Sequence, residues 1–239
     1  MELVPLACEV LREIIRILKP SEIDVSAYGI REGLLYEQMP ARLRARDPLI
    51  EAARMTELTQ ARIPGFGKKL FTFLEPLFKD ATTERLRLIK AACLLHDTTW
   101  RAHPDYRAEA CFDNATRANL GGLSHQERVF LGLALLHRYK NSRAGSRLEP
   151  LFALLAPAEI QQAEILGKAM RFGAMLSMQS PEKAARLDFD PVARSLSLTL
   201  LPGTEALFGE VAAARFQALA EALGARPVVL QPGLKPELA

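Results

Sequence analysis

The sequence predicts a mainly α protein: a helical bundle, closed by a small α+β subdomain and preceded by a short helix–strand–helix segment. Three observations lead there. Apolar residues recur three to four apart from Leu3 to Leu18, and helical patterns fill the stretch from Pro48 to about Ser180. Period-two alternation over a longer run begins only after Pro181. Between these blocks the breaks fall at Pro and Gly positions, where chains turn.

In chain order, Leu3, Leu6, Val10, Leu11, Ile14, Ile15 and Leu18 form one amphipathic stripe, stopped by Lys19-Pro20. Ile23 to Ala27 alternates like a short strand, Gly29 offers a turn, and Ile30 to Met39 resumes as a helix before Pro40. One strand is unstable without partners, so this segment needs others from elsewhere. Helices separated at Pro64-Gly65, Lys79-Asp80, His103-Pro104, Gly121-Gly122, Asn141 to Gly145 and Pro157 follow. Asp80 to Glu84 supplies capping residues, and Ser124 with Glu127 makes a capping box. Leu187 to Asp190 and Ser195 to Leu201 read as strands, Glu205 to Leu223 as an Ala-rich helix closed by Gly224, and Val228 to Leu230 as a third strand. The tail from Gln231 to Ala239 is expected to fray. The α+β unit has too few residues for an independent core, so it should pack on the bundle.

Composition limits the function classes. With 239 residues, 49% hydrophobic and 25% charged, the chain has the balance of an ordinary globular protein. Its net charge of +3 excludes a histone-like polybasic nucleic-acid binder, so any anion binding must rest on local clusters. Three cysteines, Cys8, Cys93 and Cys111, without CxxC spacing, fit a reducing cytoplasm better than a disulfide framework or a structural zinc site. No apolar run approaches the length of a membrane span.

Three constellations could carry chemistry. His96-Asp97 ends an apolar helix, and an adjacent His-Asp pair is the central signature of HD phosphohydrolases. That family's site also needs a His on an earlier helix and an Asp on a later one. Only His96, His103, His125 and His137 exist, and no Asp lies between His125 and Gln179. Half the usual ligands would hold a divalent ion weakly, so a structural pair is the expected reading and a metal site the alternative. Ser26, Gly29, Arg31 and Glu32 lie at a strand-to-helix junction, whose backbone N–H groups and dipole suit an anion. A forked Arg31 contact to phosphate would add to it. Arg138, Lys140, Arg143 and Arg147 gather on one loop, with Glu149 as the acid nearest in sequence; Arg42, Arg44 and Arg46 form a second short track. A flexible polyanion would bind such tracks in a salt-dependent way. A solvated loop is the ordinary alternative.

Ser26 to Tyr36 resembles the S-x-x-G-h-R-E-G-L-L segment (h, hydrophobic) near the end of the second actin-like domain in the exopolyphosphatase/guanosine pentaphosphatase (Ppx/GppA) family. Cys93 to Tyr106, Gly121 to Glu127 and Leu136 to Arg138 are similar to that family's C-terminal HD-like helical domain, and Leu198 to Leu223 to its closing β-α region. The resemblance implies residues 1–40 as the end of an actin-like domain, 41–180 as the HD-like domain and 181–239 as a small α+β subdomain. It implies an activity for the parent enzyme, release of terminal phosphate from polyphosphate or guanosine pentaphosphate, with Mg2+ as its ion. The family's phosphate loops and catalytic acids have no counterpart here. This chain would therefore have no catalytic residues and no cofactor of its own, and would be inactive alone. Its share would be substrate binding and contacts in a homodimer, with Arg31 touching ligand in the intact enzyme. An independent metal-dependent HD phosphohydrolase and a regulatory or scaffold module are the rival readings.

Overall fold

The computed structural model describes residues 3–23, 25–26, 28–230 and 237–238. The chain forms two compact units, Met1–Ala45 and Arg46–Ala239.

The first unit holds α1 (Leu3–Leu18), α2 (Ile30–Gln38) and α3 (Ala41–Arg44). In α1 the polar stripe is internally paired, Arg12 with Glu9 at 2.6 Å and Arg16 with Glu13 at 2.5 Å. Its apolar residues are exposed. The start of α2 is fixed by Glu32, whose carboxylate accepts the Gly29 N–H at 2.8 Å. The strand expected over Ile23 to Ala27 is a correction. Ile23, Val25 and Ser26 lie in no strand, while Asp24 and Ala27 fall outside the described residues. Alternation alone cannot make a strand where no second strand offers a hydrogen-bonding edge.

The second unit is built from α4 (Pro48–Gln60), α5 (Phe66–Leu74), α6 (Thr83–Leu95), α7 (Pro104–Arg117), α8 (His125–His137) and α9 (Pro157–Leu176). A short α10 (Pro181–Ala184), strands β1 (Ala185–Asp190) and β2 (Ser195–Leu200), helix α11 (Glu210–Leu223), β3 (Arg226–Leu230) and β4 (Glu237–Leu238) follow. Asp47 caps α4 from its side chain to Ile50 N–H at 3.0 Å, and the Thr82 hydroxyl caps α6. Ser124 and Glu127 close their box in both directions, at 3.2 and 2.7 Å.

The sheet order is β1-β2-β3-β4: an antiparallel hairpin, a parallel β2–β3 pair joined through α11, and an antiparallel β4. In β2 the alternation is realised, with Leu196, Leu198 and Leu200 buried. The helix expected over Glu205 to Leu223 is two pieces, a 3-10 turn over Glu205–Leu207 and then α11, because Gly209 turns extended to start the second. Gly224 ends it with φ 62°, in the left-handed region that glycine occupies without steric cost. Of the tail expected to fray, Glu237 and Leu238 pair with β3 and the rest lies outside the described residues.

One apolar core runs from Leu49 to Val229 and includes residues of the helices and the sheet. Phe172 of α9 meets Phe73 at 6.0 Å and Phe216 of α11 at 5.2 Å between ring centroids, so the sheet unit borrows the bundle's core. Two close approaches set the helix packing. A Cβ on Gly67 would stand 2.6 Å from the Cys93 carbonyl, and one on Gly167 would stand 2.4 Å from the His137 Cβ. The second seats the end of α8 directly on α9. No helix among the described residues is long and apolar enough to cross a membrane.

Candidate functional site

A buried polar centre gathers where α6 ends. Its leucines and alanines fill the core, and the chain then turns His96 and Asp97 inward, each 3% exposed. The His96 ring packs on Phe66 with centroids 5.2 Å apart, and its Nδ1 lies 2.9 Å from the Cys93 carbonyl. A carbonyl can only accept, so Nδ1 carries the proton. Burial first, and then the Arg138 charge, push the His96 pKa down to about 3, so the ring is neutral at physiological pH.

Asp97 is engaged from two sides. Its Oδ1 accepts from Arg62 at 3.1 Å and lies 3.3 Å from the Tyr139 hydroxyl, which also reaches the His96 carbonyl at 3.1 Å. Trp100 fixes the turn by donating from its indole to the Gln60 carbonyl at 3.1 Å, beneath the guanidinium of Arg62 at 5.4 Å. Arg107 and Arg138 both lie over the Tyr139 ring, 5.5 and 4.9 Å from its centroid. Next to them Thr99 and Cys111 share a hydrogen bond; burial raises the Cys111 thiol to about 11, so it is no nucleophile.

This centre does not fit a Mg2+ ion. Among the described residues no three His, Cys, Asp or Glu side chains converge as a metal site. Asp97 is already occupied by a guanidinium and a phenol. The other histidines are dispersed: the His103 ring caps α7 through Asp105 N–H, His125 begins α8, and His137 ends it.

The predicted basic loop is divided by the fold. Arg147 bonds to Glu109 at 3.1 Å and Asp113 at 2.7 Å of α7, and Arg143 stands 3.8 Å from Glu164 of α9. Glu149, the acid nearest in sequence, is spent on the Gly145 N–H at 2.7 Å. Helix packing supplied acids that chain order does not reveal. Lys140 is half-buried, and Arg138 is 9% exposed, with no side-chain hydrogen bond among the described residues and a buried Nε that lacks a partner. Arg143 lines a cleft of about 650 Å³ together with His137, Asn141, Ser142 and Glu164. His137 is buried, its Nδ1 faces the Lys140 carbonyl at 3.2 Å, and its Nε2 is unpartnered. Of the other track, Arg46 pairs with Glu51 at 3.0 Å, whereas Arg42 and Arg44 are exposed on α3.

The predicted junction residues lie together at the start of α2. Arg31 is exposed and pairs with its neighbour Glu32 at 3.2 Å, Glu32 holds Gly29, and the Ser26 hydroxyl accepts the Tyr28 N–H at 3.0 Å. These are local turn contacts, and they leave most of the Arg31 guanidinium in solvent.

The chain is 29% identical over 123 residues to Retrograde regulation protein 2 of Saccharomyces cerevisiae, which covers 49% of this chain and 20% of that protein. The chain thus spans about a fifth of that relative's length. A family model described as "Exopolyphosphatase, C-terminal" matches residues 49–230, the whole of the bundle and the sheet to the end of β3. The chain belongs to the exopolyphosphatase C-terminal family.

Proposed function

We propose that this chain is the polyanion-binding C-terminal part of an exopolyphosphatase-like phosphohydrolase, outside the catalytic core. The family match over residues 49–230 carries the reading. In it, residues 41–180 are an HD-like domain and residues 1–40 the end of an actin-like domain, with Arg31 free to reach a ligand. The parent enzyme releases terminal phosphate from polyphosphate or guanosine pentaphosphate with Mg2+, and two copies of the chain associate in the cytoplasm. The polyanion lies along the Arg138 to Arg147 loop. Arg143 is the available contact, since an ion pair at 3.8 Å and partly exposed is weak and exchanges readily for phosphate. Arg147, clamped by two carboxylates, positions the loop.

Each exposed phosphate contact contributes about 1 kcal/mol or less, so affinity grows with polymer length. Long-chain polyphosphate is expected to bind the full chain weakly and to dissociate as salt rises. Arg143→Ala/Arg147→Ala should lower both affinity and salt slope. Purified chain should release no phosphate, with or without divalent metal. Equal affinities and slopes for wild type and variant would remove the loop from the site. Phosphate release lost in His96→Ala would replace this reading with that of an independent hydrolase.

A further inference from the structure

The cleft of about 650 Å³ beside the basic loop contains a group that the fold leaves unsatisfied. His137 lines this cleft and is 1% exposed. Its Nδ1 lies 3.2 Å from the Lys140 carbonyl, which can only accept, so Nδ1 carries the proton and Nε2 presents a bare lone pair. Burial lowers the pKa of the ring against the pull of Glu164, so Nε2 is unprotonated at physiological pH. Among the described residues nothing donates to that buried nitrogen. The Lys140 bond and the close seat of the His137 Cβ at Gly167 hold the ring in this setting. A buried acceptor without a donor is costly, so the arrangement calls for a donor from outside the chain.

The other walls of the cleft define what fits. Glu164 is a second acceptor: Lys168 at 2.7 Å and Arg143 at 3.8 Å each take one lone pair, and a carboxylate offers about four. A fully ionised phosphate has no proton to give, so it would meet both acceptors badly. It belongs at Arg143, the cation of the set. Hydroxyl groups donate equally well to a neutral imidazole and to a carboxylate. Phe152 and Ile160 supply an apolar wall for the carbon face of a ring. We infer that this cleft takes a sugar phosphate: one sugar hydroxyl donates to His137 Nε2, a second to Glu164, and the phosphate pairs with Arg143. The Arg143 contact rests on the polyanion-binding reading, and the sugar goes beyond it. A free sugar phosphate or the ribose of a nucleotide could supply this chemistry.

Calorimetric titration of the full chain with inorganic phosphate, ribose 5-phosphate, tripolyphosphate and GTP tests it, with the nitrogen NMR resonance of His137 Nε2 as a second readout. Ribose 5-phosphate should bind at least about tenfold more tightly than inorganic phosphate, and GTP more tightly than tripolyphosphate by a similar factor. The Nε2 resonance should move upfield as the hydroxyl bonds to it. GTP binding more tightly than ribose 5-phosphate would identify a nucleotide; GTP binding no better would identify a free sugar phosphate. Ala153 is an exposed residue that also lines the cleft, so Ala153→Trp should fill the space, leave Tm little changed and abolish the preference for the sugar. His137→Leu should abolish it too, and the first variant keeps the test available should this one fold poorly. Equal affinities for ribose 5-phosphate and inorganic phosphate, or an Nε2 resonance that does not move, would leave water as the partner of His137 and overturn the site. A sugar preference kept in both variants would overturn it as well. Long-chain polyphosphate that still binds through Arg143 in such a case would leave the polyanion-binding reading standing; its failure too would remove both.

Discussion

Gly167→Ala is expected to destabilise the second unit by about 3 kcal/mol or more, among the largest effects of any single methyl group in the chain. The added Cβ would stand 2.4 Å from the His137 Cβ and 2.5 Å from the Ala134 carbonyl oxygen. The carbonyl is backbone and the His137 Cβ is fixed to it, so no rotamer change relieves the clash. Helices α8 and α9 must separate, and that loosens Leu133, Leu136, Leu166 and Met170, all within 0% exposure. Gly145→Ala is a useful comparison. Its φ of 73° makes alanine strained there, but nothing lies within 4 Å of the new atom, so the loss should be about 1 kcal/mol and purely local. Urea unfolding of both variants measures the difference. Equal losses would mean that the α8–α9 contact has room to yield.

Mild acid is the second strong expectation. His96 and His137 are neutral in the folded chain because burial lowers both pKa values, His96 to about 3. The unfolded chain protonates its histidines below about pH 6.5, so between there and pH 3 it binds more protons than the folded chain. Stability therefore falls as pH drops through that window and is fully present above it. By pH 5 His96 should subtract about 2 kcal/mol, from 1.36 kcal/mol per unit over 1.5 units, and His137 acts in the same direction. Glu57 acts in the opposite sense. Burial raises its pKa, so its neutral form relieves strain as pH falls, and it offsets part of the loss. His96→Gln should unfold with a visibly flatter dependence between pH 7 and pH 5, whatever its stability at pH 7. The same slope in wild type and variant would place the acid sensitivity elsewhere.

Much of this fold was legible where local pattern and tertiary need coincide. The stripe in α1, the capping box at Ser124 and the alternation of Leu196, Leu198 and Leu200 are each decided within a few residues. Pairing at a distance was not. Ile23 to Ala27 has the alternation of a strand but no strand partner among the described residues of its unit, and Glu205 to Leu223 is broken at Gly209, where a continuous helix was the simpler reading.

The site divides along the same line. His96-Asp97 stands out in sequence, but its engagement by Arg62 and Tyr139 depends on residues 35 and 42 positions away. The basic loop looked unpaired because Glu109, Asp113 and Glu164 reach it from other helices.

The measurement closest to the central claim is an NMR titration of the full chain with long-chain polyphosphate, following the arginine side-chain Nε–H resonances. That of Arg143, whose ion pair with Glu164 is long at 3.8 Å, should shift and saturate, while Arg42 and Arg44 on α3 move little. Equal shifts across all the exposed arginines, rising without saturation, would mean that polyphosphate meets only the charged surface and that the loop is no site.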